Sequence, residues 1–228
     1  MLLSLFTAHL RRFVRSRRAL ALAIGWLLFA VVLGLSAGAK STGVRNALSI
    51  SLVGTALPFL SYAAISGVVG EKGLGAVVWS FSLMGMSRLR AAVSLVLASL
   101  ALGALLGLLS AAIVVVLGHS AMDPPLARDL LTTAWVGALG GAAYASLFLL
   151  GASFWKGAGR GVLLAIDWVL GGSGFFALLL PHGHLRSLFG GEAAFEVSQR
   201  TSSLLLLALT LLMGAWAVRR GVRASSAG

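Results

Sequence analysis

Six apolar runs recur along the chain, near residues 19–39, 47–69, 93–118, 130–150, 162–180 and 201–218. Each is about 18 residues or more, and at about 1.5 Å per residue that is enough to cross roughly 30 Å of hydrocarbon. Inside lipid a segment must satisfy its backbone hydrogen bonds internally, so the runs are read as helices. The expected fold is an all-α polytopic membrane protein with six transmembrane helices. The composition agrees: 59% of residues are hydrophobic and 11% charged, against about 25% charged in a soluble domain.

The formal net charge of +12 would suggest nucleic-acid affinity in a soluble chain. Its distribution suggests otherwise. Five arginines precede the first run; Lys72, Arg88 and Arg90 follow the second; Lys156 and Arg160 follow the fourth; Arg219, Arg220 and Arg223 follow the sixth. Thirteen of the eighteen basic residues thus fall on one side if the chain crosses six times. That is the positive-inside bias, with both termini cytoplasmic. The chain contains no cysteine, so disulfide and thiolate chemistry are excluded.

Residues 1–18 place Leu2, Leu3, Phe6, Leu10, Phe13 and Val14 near one helical face and the arginines largely on the other. This predicts an interfacial amphipathic helix lying in the headgroup layer. The pair Arg11-Arg12 faintly resembles a twin-arginine export signal, and Ala37-Gly38-Ala39 a signal-peptidase site. The run between them has full spanning length, which favours a retained helix. The chain therefore divides into the interfacial helix at 1–18, a six-helix domain at 19–218 and a cytoplasmic tail at 219–228.

The stretch 70–92, GEKGLGAVVWSFSLMGMSRLRAA, is a long polar-flanked interruption on the basic side. A Glu-Lys-Gly turn opens it, and Ser80 and Ser82 divide an apolar segment ending at Leu83. A solvated loop would not carry Val77, Val78, Trp79, Phe81, Leu83 and Met84. The stretch predicts a short amphipathic helix at the cytoplasmic surface, presenting an apolar knob to another protein.

Within the runs, Gly103-xxx-Gly107 and Gly137-xxx-Gly141 are read as packing seams, and Gly34-xxx-Gly38 as another small-residue contact. Pro58 falls mid-run and is expected to kink its helix. Asp123-Pro124-Pro125 reads as an outer turn, and the short basic loop 154–160 makes runs four and five antiparallel neighbours. Asp167, beside Trp168, is the acidic residue set inside a run. Such a residue normally faces an interior or a cavity. Two readings stand: a translocation-pathway residue, or a structural carboxyl paired with Arg160 or Lys156 or held neutral. The outer segment 181–200 has room for a short re-entrant or surface helix. His182 and His184, near Glu192 and Glu196, are read as solvated rather than as metal ligands, since their spacing matches no helical ligand pair.

Gly171-Gly172-Ser173-Gly174 fits the GxSG nucleophile motif of rhomboid intramembrane proteases. A serine nucleophile needs a general base, and run six holds no histidine, so a packing or hinge role is favoured. The chain carries no HExxH zinc motif and no acidic cluster for magnesium, and the phosphate-loop echo at Gly38-Ala39-Lys40-Ser41 follows no strand. The expectation is a protein that is not an enzyme by itself and binds no cofactor or metal of its own.

An interfacial helix, six spans with both ends inside, and a Glu-led glycine loop between spans two and three resemble the permease subunit of type-2 ATP-binding-cassette exporters. The likeness of layout covers essentially the whole chain. Glu71 with Gly73 or Gly75 matches the start of that family's loop, and Met86-Ser87-Arg88 its closing turn. The chain departs from the pattern in having no Thr after the glycine and no Pro before Ser-Arg. The resemblance implies a coupling helix, with Glu71, Gly73, Trp79, Phe81, Met84, Ser87 and Arg88 docking into a separate cytoplasmic ATPase that binds ATP and magnesium. It also implies a dimer with a second permease copy or paralogue, Asp167 and Trp168 near the pathway, and residence in a bacterial inner membrane. The apolar spans point to a lipid-like, amphiphilic or small hydrophobic cargo. A haem-exporter permease of cytochrome maturation, a rhomboid-like protease and a passive scaffold are the alternatives.

Overall fold

The computed structural model describes residues 2–38, 43–120, 125–172, 174–192 and 197–223. Among these the regular structure is helical. Helix α1 (Leu2–Arg15) carries Leu5, His9 and Phe13, spaced by four, into the core. Ser16 interrupts it, and its hydroxyl accepts from the Ala19 amide at 3.4 Å, an N-terminal cap for α2 (Arg17–Gly38). The inward stripe of α2 is small, comprising Ala19, Ala23, Ala30, Gly34 and Ala37, while Leu22, Leu28, Val32 and Leu35 face outward. A methyl at Gly67 would meet Ala19 Cβ at 2.5 Å, so that glycine seats the α1–α2 joint.

A short α3 (Gly43–Asn46) leads into a π-helix, Ala47–Ala56, and then α4 (Leu57–Val69). Near Pro58, where a kink is expected, the helix changes register. In a regular α-helix the proline ring crowds the carbonyl four residues back and supplies no amide. The wider π register, in which the Leu57 amide reaches the Leu52 carbonyl, runs up to the proline instead. Within the 70–92 stretch the structure forms a helix, α5 (Leu74–Leu83). The long α6 (Arg88–Gly118) and α7 (Leu126–Ala152) form the centre of the bundle.

The two glycine motifs pack against each other. A methyl at Gly107 would overlap the Gly137 carbonyl, and one at Gly103 the Gly141 carbonyl. The backbones of α6 and α7 touch there, as small-xxx-small packing requires. Helices α7 and α8 (Gly159–Leu170) are neighbours through Gly151 and Gly159.

The run 162–180 does not form one helix. Helix α8 has 12 residues, a rise of about 18 Å, too short to cross alone. It ends at Gly171, whose amide bonds the Asp167 carbonyl at 2.8 Å. Gly174 takes a φ of 66°, a conformation suited to glycine. A 3-10 turn, Phe175–Leu178, precedes α9 (Pro181–Leu188) and the final α10 (Gln199–Arg223). Among the described residues, five helical stretches are long and apolar enough to cross a membrane: Arg17–Gly38, Gly43–Leu83, Arg88–Gly118, Leu126–Ala152 and Gln199–Arg223. The apolar, all-helical architecture is that of a membrane-embedded protein.

Candidate functional site

Glycines frame the 70–92 stretch. Gly70 ends α4 with φ 73°, and Gly73 starts α5 with φ 84° and an extended ψ, open to glycine alone. Glu71 and Lys72 form the exposed turn between them. Leu74, Val77 and Val78 face inward, with Gly221 of α10 allowing Leu74 and Val78 to approach. At the far end, the Met86 amide reaches the Phe81 carbonyl at 3.4 Å and the Gly85 amide the Ser82 carbonyl at 3.1 Å. With Gly85 at φ 80°, this is a Schellman termination. Ser87 then caps α6, accepting from the Arg90 amide at 3.4 Å.

The structure separates the apolar residues of this segment. Arg88 holds its guanidinium 4.7 Å from the Trp79 ring centre, a cation–π pair on a half-exposed face. Met84 is 73% exposed and Leu83 71%. Phe81 instead turns inward, its ring centre 4.8 Å from that of His9. Leu83 and Met84 therefore face outward, with Trp79 partly buried beneath Arg88. Leu83 follows Trp79 by four residues, a same-face spacing that marks it in the sequence.

His9 is fully buried, with Nε2 3.2 Å from Ser94 Oγ. It thereby ties α1 to α5 and α6. Burial, reinforced by the nearby Arg12 guanidinium, pushes its pKa down to about 4.

A second contact fixes the entrance to α5. Arg160, 6% exposed, donates from Nη2 to the Gly70 carbonyl at 2.9 Å and from Nε to the Gly157 carbonyl at 3.0 Å. Gly157, at φ 92°, lies so close to Glu71 that a Cβ would stand 2.9 Å from its carbonyl oxygen. The turn between α7 and α8 is thus clasped to the 70–73 turn. Arg220 of α10 stacks 4.6 Å from the Phe154 ring centre in the same region. Arg160 also accounts for a sequence alternative: it serves the backbone near Gly70 and does not pair with Asp167.

Asp167 is 1% exposed. The Tyr144 hydroxyl donates to its Oδ2 at 2.9 Å, and His182 Nδ1 lies 3.8 Å from the same oxygen. Its Oδ1 is buried without a hydrogen-bond partner. Tyr144 stacks on Phe148, Phe148 meets Tyr62 edge to face, and the Arg160 guanidinium sits 5.9 Å from the Tyr62 ring centre. Trp168 points the other way and is 64% exposed.

The histidines correct a sequence expectation. His184 is buried, with Nε2 3.0 Å from the Leu178 carbonyl, and His182 turns to Asp167. Neither is a solvated loop residue. Pro181 starts a helix that folds back toward the end of α8, which the local sequence did not reveal. Among the described residues no group of three His, Asp or Glu side chains gathers as a metal site. Ser173 of the rhomboid-like motif, Glu196, and the Asp123-Pro124 part of the outer turn lie outside the described residues. In comparison with known proteins, no family model matches the chain and no curated relative matches it.

Proposed function

We propose that the chain is the membrane subunit of an exporter driven by a separate cytoplasmic ATPase of the ATP-binding-cassette type. The observation that carries this reading is α5. It is a short helix closed at its C-terminal end by its own backbone, half sunk against α6 and α10, with Leu83 and Met84 left outside and Trp79 partly buried beside them. An aromatic and a flexible thioether on a rigid projection suit a concave protein partner. Arg88 and Arg90 beside them add electrostatic steering. On this reading Glu71, Gly73 and Ser87 shape the docking element, and Phe81 anchors it from within. ATP and magnesium belong to the partner.

The same reading gives the chain six crossings, both ends cytoplasmic, in a bacterial inner membrane. Contacts of α8 and α9 support a fifth crossing made in pieces. Arg160 at the start of α8 is clasped near α5, whereas Gly190, just after α9, hydrogen-bonds Arg45, and Ser187 meets Gln199 at the start of α10. The path from 160 to 199 therefore joins the two ends of the bundle. Helix α1, with Arg11 and Arg15 exposed, lies at the interface, where anionic lipid adds roughly 1 kcal/mol per basic residue. Two copies enclose the pathway. Trp168, Val169, Phe175 and Phe176, all exposed, offer an apolar wall to a lipid-like, amphiphilic or small hydrophobic cargo. Asp167 stands directly behind Trp168 and holds that wall in place.

The test is affinity capture of the full chain from its native membrane in mild detergent. A nucleotide-hydrolysing subunit should accompany the wild type and be absent from Trp79→Ala/Met84→Ala. Equal recovery with both would overturn the coupling assignment.

A further inference from the structure

We propose that Arg11 and Arg15 of α1 form a binding site for the phosphate of one anionic phospholipid, whose acyl chains begin against Leu10 and Val14. The inference rests on the reading of α1 as an interfacial helix and needs no partner on α5.

The site begins with the register of α1. Thr7, Arg11 and Arg15 are spaced by four, as are Leu10 and Val14, so each set forms a row along the helix. The two rows line a shallow surface groove. The Thr7 hydroxyl donates to the Ser4 carbonyl at 2.9 Å, which leaves the two guanidiniums as the groove's charged donors. Standing one turn apart, they are spaced to bracket a single phosphate, each offering a planar fork to its oxygens. Val14, 60% exposed, sets uncovered apolar surface directly beside that charge. A free anion gains nothing from the apolar row, and an acyl chain gains nothing from the cationic one. A phospholipid satisfies both.

The charge on α1 is uncompensated within the protein. The first acidic residue in the sequence is Glu71, and neither ion pair among the described residues reaches α1. Such an element attracts an anionic leaflet.

Folding also fixes where the groove stands. Leu5, His9 and Phe13 are buried on the stripe opposite Thr7, Arg11 and Arg15. His9 meets Phe81 of α5, and a methyl at Gly67 would stand 3.0 Å from Phe13 Cδ2. Helix α1 is thereby held beside α5, and the apolar crossing Arg17–Gly38 departs two residues after Arg15. The groove lies at the start of that crossing, at the depth of the lipid headgroups.

The experiment is native mass spectrometry of the full chain released from micelles holding phosphatidylglycerol and phosphatidylcholine in equal amounts. The wild type should retain one phosphatidylglycerol, preferred by about tenfold. Arg11→Gln/Arg15→Gln should lose that preference. Arg11→Lys/Arg15→Lys keeps the charge without the forks and should lose most of it. Arg17→Gln/Arg18→Gln removes the same charge outside the groove and should keep the lipid. All four arginines are exposed, so these variants leave the core intact. Equal retention of the two lipids, or displacement by inorganic phosphate, would overturn the site. So would full retention in the Lys variant, or equal loss in the Arg17→Gln/Arg18→Gln control, since either marks diffuse attraction. A second readout tests the interfacial reading itself. The chain has no cysteine, so Ser4→Cys carries a single fluorophore, and lipids spin-labelled at the headgroup should quench it in nanodiscs. Quenching without a retained lipid would overturn the site and leave α1 interfacial; absence of quenching would overturn both.

Discussion

Arg160 and Asp167 lie two turns apart on the buried stripe of α8 and serve opposite neighbours. The first grips the Gly70 carbonyl at the entrance to α5; the second accepts from Tyr144 and faces His182 on α9. Between them Tyr62, Phe148 and Tyr144 fill the interior with ring contacts. One short helix thus joins the 70–73 turn to α9 through side chains that are already packed.

Replacing Arg160 with Gln should lower stability by about 2–3 kcal/mol, since two carbonyls lose a charged donor. Arg160→Lys keeps the charge but not the fork, and should recover only part of the loss. Thermal unfolding in detergent measures both. Equal midpoints for the wild type and Arg160→Gln would show that the clasp contributes nothing.

Phe81 and the outward pair should behave differently. Phe81→Ala removes a ring packed on His9 and should cost about 1–3 kcal/mol, as for a partly buried aromatic. Trp79→Ala/Met84→Ala removes an exposed thioether and a partly buried indole and should cost no more than about 1–2 kcal/mol while eliminating ATPase capture. Unfolding midpoints measured alongside the pull-down separate the two effects.

A bulky residue cannot enter the α6–α7 seam. Gly107→Leu should abolish recovery of monodisperse protein, because its side chain would overlap the Gly137 carbonyl. Gly25, with nothing within 4 Å of an added Cβ, is the control: Gly25→Ala should leave stability within about 1 kcal/mol. Size-exclusion profiles decide. A normal profile for Gly107→Leu would refute the close approach.

His9 gives a pH dependence with a definite sign. Its folded pKa, about 4, lies below the ordinary value of 6.5, so the unfolded chain takes up the proton first. The stability of the α1 contact is complete above about pH 6.5 and declines as pH falls toward 4, by up to the order of 3 kcal/mol. His9→Gln should flatten that decline in detergent melts across the window. A slope unchanged by the substitution would assign the acid sensitivity elsewhere.

Hydropathy made the long crossings legible because a helix in lipid needs length and apolarity, both local properties. The glycine seams were legible for the same reason: Gly103 and Gly107 recur at one helical face, as do Gly137 and Gly141. The break in 162–180 was not. Asp167 and Ser173 aside, its residues remain apolar or small, while the chain direction changes at glycines that a hydropathy window counts as neutral. Asp167's partners were equally hidden. Tyr144 is 23 positions earlier and His182 follows a reversal, so only the folded path brings them together. At 70–92 the helix could be read from its flanks, but the inward turn of Phe81 depends on where α1 lies.

The back-to-back caps between α5 and α6 have a thermodynamic consequence. Gly85, Met86 and Arg90 direct their amides to acceptors within the same short segment. The turn consequently keeps its shape without help from a docking surface. A protein that docked there would encounter an object already rigid, and little of the association free energy would be lost to ordering the loop. Recognition at such a turn would be a matter of fit and speed, with the shape settled when the chain itself folds.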